Sequence, residues 1–491
     1  MKEINAKLFD YIENCPTAYN AAEHTAKILE SAGYSKLNEA ATWTLETGKG
    51  YYVTRNGSSL IAFRVPNGDF TGFMMTAAHL DSPTFRIKEN DRLEDGNYVK
   101  LSVEGYGGML RSTWTDRPLS VAGRLVVKTD GGIKTVTVDL KEPVAIIPNV
   151  AIHMDRTAND SKGYNTAVDM IPLFSLAGEK TLHLREMLAK AAKVDEKNIV
   201  ATDVSVYNPQ SGEEFGGVIC APRLDDLQCA FASLTAFLNA VKGAGLPVLC
   251  LFDNEEVGSQ TKQGAASTFL ADTLERICAA LGNGDKYREK VASGFLVSCD
   301  NAHAVHPNHP EYADRNHTVR MNGGVVIKYN ANQRYTTDAV SEAIFKSFCD
   351  KAGVKTQFYA NRADMAGGGT LGNSGSVGFL FDHKCVFKFR AAEGVDPEEL
   401  ELEMIDLGVD EFYSEEDGIT VYAPYESFGA IQKWLDDKGF EIVSGESVRI
   451  PSDVKELDAE GRESVEKLVE KLEEDDDVVN VYHTMKDADE E

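Results

Sequence analysis

The sequence predicts an α/β protein. A mainly parallel sheet with helices on both faces is interrupted by a β-rich insertion and followed by a small α+β module. Three observations carry this reading. Apolar runs such as Leu246–Phe252 have the length of buried strands and alternate with helix-compatible segments. From about residue 92 to 208 the texture changes to alternating segments with turn signals, as in antiparallel hairpins. The charge balance then shifts: residues 391–491 hold 33 acidic and 8 basic residues (net -25), whereas the first 390 hold 45 and 42 (net -3).

Taken in order, helices are expected over 6–14 and 18–32, with Gly33 as the stop of the second. Strands are expected at 50–54, 59–65 and 73–78. Within the insertion, 123–128 and 134–140 flank Asp130-Gly131-Gly132 as a hairpin. A helix over 227–241 precedes the strand 246–252, and strands at 294–299 and 323–330 precede a helix over 337–352. In the last module, Phe428, Ile431, Trp434 and Leu435 share a helical face closed by Gly439. Val465, Leu468, Val469 and Leu472 form another, and strands at 420–422 and 478–482 flank them in a ferredoxin-like α+β unit. The acidic run Glu473–Asp477 reads as a solvated turn.

Composition narrows the function. A net charge of -28 argues against unaided binding to nucleic acid, which needs cations against phosphate. The eight cysteines are scattered without a CxxC pair, as expected for reduced thiols in a cytoplasmic protein. The segment Met1–Tyr11 lacks the apolar core of a signal peptide. No run approaches the roughly 18 apolar residues that span a bilayer.

The chemistry gathers at strand ends. Leu246–Phe252 stops abruptly at Asp253-Asn254-Glu255-Glu256. Adjacent carboxylates there can divide the work, one binding a metal and the other moving a proton. Alone, the same residues describe a charged turn. The strand at 73–78 ends in His79-Leu80-Asp81, an imidazole with a carboxylate two residues on. The strand at 294–299 ends in Asp300, and Asp225 stands just before a helix. Convergence of these groups is what a two-metal hydrolase needs: a bridging carboxylate, terminal His, Asp or Glu ligands, and a carboxylate that takes a proton from water. His303, His306 and His309 are read as part of a polar active-site loop, because Pro307 and Pro310 disfavour one helix carrying all three. His153, in 152–156, is read as a strand histidine of structural character.

Segments 76–88 (TAAHLDSPTFRIK), 113–125 (TWTDRPLSVAGRL), 221–227 (APRLDDL), 252–259 (FDNEEVGS), 300–308 (DNAHAVHPN) and 330–335 (NANQRY) resemble the aspartyl aminopeptidases, zinc enzymes of peptidase family eighteen. The resemblance implies a zinc-peptidase sheet and two zinc ions. His79, Asp225 and Asp300 would bind one, with Asp225 bridging; Glu256 would bind the other. Glu255 would be the general base, and Asp81 would orient His79. The insertion would be a dimerisation domain whose His153 reaches a neighbouring subunit's site, and Lys328 would lie near the substrate. The resemblance stops at about residue 366. It lacks the family's final strand, a histidine ligand and a closing helix. Segments 372–384 (GNSGSVGFLFDHK), 398–411 (EELELEMIDLGVDE), 417–435 (DGITVYAPYESFGAIQKWL) and 476–484 (DDVVNVYHT) instead resemble the C-terminal part of the YebC family of transcriptional regulators, without its basic N-terminal domain.

The expected domains are 1–91 and 209–366 for the peptidase, 92–208 for the insertion and 367–491 for the YebC-like module, joined at Gly367–Asn373 by natural fusion or by recombination or assembly of two genes. The expected function is release of N-terminal, acidic residues from peptides by a cytoplasmic homo-oligomer, impaired by the loss of a zinc ligand. The alternatives are a YebC-like regulator and a catalytically dead scaffold.

Overall fold

The computed structural model describes residues 2–156, 158–159, 164–178, 181–241, 243–361, 380–391, 395–415, 418–457, 461–462, 465–466, 468–469 and 480–486. Helices α1 (Lys2–Glu13) and α2 (Ala18–Ser31) open the chain. Gly33 ends α2 at φ +87°, and its N–H donates to the Glu30 carbonyl over 2.9 Å. This left-handed stop suits a residue without Cβ. Strands β1 (Tyr34–Lys36), β2 (Gly50–Arg55), β3 (Ser59–Arg64) and β4 (Phe73–His79) follow.

The chain then enters a second sheet through β5 (Thr84–Asp95), β6 (Tyr98–Tyr106), β7 (Pro118–Thr129), β8 (Gly132–Asp139), β9 (Ala145–Ile146) and β10 (Leu173–Leu176). Helix α3 (Leu184–Ala192) and β11 (Ile199–Tyr207) complete it. The strand order is β11-β5-β6-β10-β9-β7-β8, with β11 also pairing β7. The β7–β8 hairpin closes at Thr129 and Gly132, where the Asp-Gly-Gly turn is expected. β5 extends across the 91/92 boundary read from the sequence, with a shift of register between Ile87 and Arg92, and the change of sheet falls at about residue 83. Phe85, Leu101, Leu119, Val121, Leu125 and Val206 fill its core, with Leu184 and Leu188 of α3 packed on them.

After the hairpin β12 (Glu213–Phe215) and β13 (Val218–Cys220), α4 (Leu224–Asn239), β14 (Leu246–Phe252), α5 (Phe269–Ala280), α6 (Tyr287–Ala292) and β15 (Phe295–Ser298) return to the first sheet. Its order is β1-β2-β3-β14-β4-β15. β14, β4 and β15 are parallel, and their register sets Phe252 beside His79 and Ser298 beside Ala77. Alternation along β14 explains why both faces are covered. Leu249 and Leu251 pack with Leu8, Tyr11, Leu29 and Leu234 of α1, α2 and α4. Val248, Cys250 and Phe252 pack on the other face with Phe269, Leu274 and Ile277 of α5. A strand buried on both sides must be apolar throughout, which is why it stands out in the sequence. β16 (Val325–Lys328), α7 (Ala339–Ala352) and β17 (Thr356–Tyr359) follow, with β16 and β17 parallel.

The last part holds β18 (Phe381–Arg390), α8 (Pro397–Ile405), β19 (Glu411–Glu415), β20 (Gly418–Pro424), α9 (Phe428–Lys438) and β21 (Glu441–Pro451). They form an antiparallel sheet in the order β19-β20-β18-β21. One face buries Cys385, Phe387, Phe389, Ile419 and Val421 against Leu400 and Met404 of α8 and Ile431 and Leu435 of α9. Gly439 ends α9 at φ +71°, with Phe440 N–H donating to the Leu435 carbonyl over 3.1 Å. The strand expected over 478–482 is not formed at 480–482; instead Met485 makes an isolated parallel bridge to Lys455. Residues 465–466 and 468–469 are helical, while Leu472, the acidic run 473–477 and the junction 367–373 lie outside the described residues.

By contacts the chain divides into two units: 1–306, 319–328 and 345–359 form one, and 307–318, 329–344 and 360–491 the other. Among the described residues no helix is long and apolar enough to cross a membrane. Phe387 is 1% exposed and packs 4.7 Å, centroid to centroid, from Phe428. Phe387→Ala is therefore expected to destabilise the C-terminal module by about 3–5 kcal/mol, measured as a lowered denaturation midpoint with unchanged slope.

Candidate metal centre

The three adjacent parallel strands deliver their polar ends to one place. His79 is the last residue of β4 and is 5% exposed. Its Nδ1 lies 2.9 Å from the Asp81 carbonyl oxygen and 3.4 Å from Asp81 Oδ1, so Nε2 is the nitrogen left to face outward. Around Nε2 stand Asp225 Oδ1 at 3.4 Å, Glu255 Oε2 at 4.0 Å and Asp300 Oδ1 at 4.0 Å. Two groups of donors have their ligand atoms within 4.8 Å of one another: His79 with Asp225 and Asp300, and His79 with Glu255 and Glu256. One imidazole among carboxylates is a nitrogen-and-oxygen donor set that suits zinc.

Local structure holds each group in place. Asp225 and Asp226 have non-helical backbone angles, so regular α4 begins at Leu227. Asp226 is fully buried and accepts the His79 N–H over 3.2 Å. Asn254 takes the left-handed conformation at φ +64° and starts the short turn that carries Glu255 and Glu256. Both of their backbone N–H groups donate to Asp81, to Oδ1 and Oδ2 respectively, each over 3.1 Å. Asp300 presents Oδ1 toward His79, while its Oδ2 accepts from Lys328 Nζ over 2.7 Å.

The electrostatics fit a bound cation. Burial lowers the His79 pKa, but the Asp225 and Asp81 carboxylates outweigh it and push it up to about 11. Burial raises Glu256 to about 7, opposed by His79 and helped by Glu255, Asp81 and Asp225. Burial raises Glu255 as well, with Asp300, Asp81 and Asp225 adding to it against His79. Carboxylates crowded this closely favour a positive charge among them. A cavity of about 570 Å³ adjoins the cluster, lined by Asp81, Tyr106, Trp114, Arg223 and Asp225. That is the size range of small-molecule sites.

Residues 11–378 match the family model for the aminopeptidase I zinc metalloproteases, M18. The chain belongs to the M18 aminopeptidase family. It is a metalloaminopeptidase by family, and residues 360–485 add a match to the second and third domain of TACO1/YebC. A relative named probable M18 family aminopeptidase 2, from Clostridium novyi (strain NT), is 42% identical over 379 residues, 74% of this chain and 87% of its own length. The cryo-EM structure of the Ape4 and Nbr1 complex contains a chain matched at TM-score 0.71 and 34% identity, covering 74% of this chain and 75% of that one. The mApe1 dodecamer of S. cerevisiae matches at TM-score 0.63 and 26% identity, covering 72% and 84%. The regulator alternative is not favoured, since the peptidase match spans most of the chain.

In this M18 aminopeptidase the structure gathers His79, Asp81, Asp225, Glu255, Glu256, Asp300 and Lys328 into one neighbourhood. His153 is not among the groups around His79. It is exposed in a turn at 152–154, not in a strand as its sequence setting suggests, because the segment after β9 leaves the sheet until β10. His303, His306 and His309 are exposed and non-helical; His309 pairs with Glu311 at 3.0 Å and stacks on Tyr312. Tyr106, Asp226 and Asn254 escaped notice as contributors to the site. Tyr106 ends a strand of the insertion and donates to Asp81 Oδ2 over 2.7 Å. Its only signal is the Gly107-Gly108 pair after it, at the point where the strand stops.

Proposed function

We propose that the chain removes acidic N-terminal residues from peptides as a zinc aminopeptidase whose second metal position is weak. The observation that carries this reading is the convergence of one imidazole and four carboxylates at the ends of three parallel strands. His79, Asp225 and Asp300 would hold one zinc, and Glu256 with the shared Asp225 the other. Bound zinc supplies Lewis acidity toward the scissile carbonyl and toward water. Glu255 takes a proton from the attacking water at its carboxylate and returns it to the leaving amine. Asp81 fixes the ring of His79 through Nδ1. Lys328, 14% exposed and paired with Asp300, places an ammonium at the rim that favours an acidic side chain.

We further infer a homo-oligomer assembled through the inserted sheet, with exposed His153 reaching a neighbour's site. The described relative that forms a dodecamer supports this. We assign the domains as peptidase, insertion, peptidase and a ferredoxin-like YebC module. The last rests on the β-α-β-β-α-β order of its elements. All eight cysteines are free thiols, which supports a reducing, cytoplasmic setting.

The test is metal analysis of the purified chain with a panel of peptides differing at the N-terminal residue. Zinc-dependent release is expected, with Asp or Glu favoured over Leu by roughly tenfold, the worth of one charge-assisted contact. A chain that takes up zinc but releases nothing would be a peptidase-derived scaffold. Equal rates for Asp and Leu peptides would remove the acidic preference.

A further inference from the structure

We infer that Tyr106 of the inserted sheet is a positioning residue that fixes Asp81, and through it both the ring of His79 and the turn bearing Glu255 and Glu256. The inference rests on the metallopeptidase reading and adds a residue supplied by the insertion to its machinery.

Asp81 is the hub of this arrangement. It is 4% exposed, and its carboxylate has a full set of partners. Oδ1 accepts the Glu255 N–H over 3.1 Å and stands 3.4 Å from His79 Nδ1. Oδ2 accepts the Glu256 N–H over 3.1 Å and the Tyr106 hydroxyl over 2.7 Å. A carboxylate held by a strand-end loop can swivel about its own side-chain torsions. The two N–H donors belong to one short turn, so they do not fix it independently of the residues it must orient. Tyr106 is the donor that comes from elsewhere, at the end of a nine-residue strand of the other sheet.

The direction of the Tyr106 hydroxyl is set by its neighbours. Asn254 is 5% exposed, and its Oδ1 accepts from Thr261 Oγ1 over 2.8 Å and from Gln263 Nε2 over 2.7 Å. Its amide nitrogen is thereby turned to Tyr106 OH, to which it donates over 2.8 Å. The phenol oxygen accepts that bond, and its own proton goes to Asp81. The chain of donors thus runs Asn254 to Tyr106 to Asp81, in one sense only. The next residue lies close to the same turn. Gly107 has φ +71°, and a Cβ there would lie 2.9 Å from Glu256 Cβ. The strand end therefore meets the metal-centre turn at two successive residues.

A purely structural role would rest on the ring, which lines the cavity and carries the Arg86 guanidinium 5.1 Å from its centroid. Tyr106→Phe keeps that ring and deletes the hydroxyl alone. Outer partners of metal ligands typically contribute 10–100-fold to metal affinity or activity. We expect Tyr106→Phe to lower zinc affinity by at least about tenfold in competition with a chelator. We also expect it to shift the visible spectrum of the cobalt(II)-substituted protein and to reduce kcat with little change in KM. Arg86→Leu disturbs the ring but spares the hydroxyl, and should leave zinc affinity within about twofold of the parent chain.

A lowered melting temperature in Tyr106→Phe, with zinc affinity and cobalt spectrum unchanged, would overturn the inference and leave the metallopeptidase reading standing. A parent chain that takes up no zinc would overturn both. Should Tyr106→Phe fail to fold, 3-fluorotyrosine at position 106 retains ring and hydroxyl but makes the phenol a stronger donor. A shifted cobalt spectrum would support the role, and an unchanged one would overturn it.

Discussion

Glu255→Gln is expected to lower turnover by at least about a hundredfold while zinc stays bound. Glutamine keeps the shape of the side chain and removes its ability to accept a proton. The backbone around it should not change, because the Glu255 N–H is held by Asp81 over 3.1 Å regardless of what the side chain carries. The choice of Glu255 over Glu256 rests on placement. The Glu255 side chain is 53% exposed, with Oε2 4.0 Å from His79 Nε2, so it borders both the donor cluster and the space where water enters. Glu256 is less exposed, and its Cβ lies so close to Gly107 that a Cβ added there would meet it at 2.9 Å, which suits a fixed ligand better than a proton carrier. Glu256→Gln should accordingly reduce metal uptake, a different signature. Single-turnover rates and metal content measured on the same samples separate the two. Unchanged turnover in Glu255→Gln would exclude it as the base.

Much of this site is legible in the sequence because His79, Glu255, Glu256 and Asp300 end or closely follow apolar strands. A strand covered on both faces reads as a short apolar run, and the first polar residues after it mark the sheet's carboxyl edge. Leu246–Phe252 shows this, as does the buried second half of Phe73–His79, and their polar ends do become neighbours through the Phe252–His79 register. What the pattern does not encode is which runs pair. β14 lies between β3 and β4, although more than a hundred residues of insertion and helix separate it from them in the chain. Tyr106 was invisible for the same reason. Its role depends on one sheet's strand ending against another's loop, and no local spacing records that. Asp226 hid beside Asp225, since an adjacent pair of aspartates does not say which faces the solvent and which is buried under His79. The change of sheet at about residue 83 has no sharp signal, because the alternate burial of β5 stops at Ile87 and the rest of the strand is mostly polar and largely exposed. The strand expected over 478–482 rested on a β-branched run, and propensity alone does not supply a partner strand.

One tightly bound zinc per chain is expected, with a second bound at least about tenfold more weakly. A single nitrogen decides this. Both donor groups contain His79, yet its Nδ1 is taken up by Asp81, at 2.9 Å from the carbonyl oxygen. Only Nε2 remains, and one nitrogen serves one ion. Asp225 Oδ1 at 3.4 Å and Asp300 Oδ1 at 4.0 Å complete a three-residue set on that nitrogen's side. Lys328 engages the other oxygen of Asp300, which leaves Oδ1 available. The second position then has Asp225 and Glu256, one short of the three protein ligands usual for catalytic zinc. The histidines after residue 366 are His383 and His483, and neither belongs to a donor group among the described residues. His383 Nε2 is hydrogen-bonded with Ser447 Oγ over 2.8 Å, and its ring stacks 4.2 Å from that of Tyr425. His79→Ala should therefore abolish the tight site, not merely weaken it, and should bring peptide release to background. Zinc titration against a chromophoric chelator, on the parent chain and on His79→Ala, decides the matter. Two zincs bound with equal affinity by the parent chain, or a His79→Ala protein that still holds one tightly, would show that another residue completes the second position.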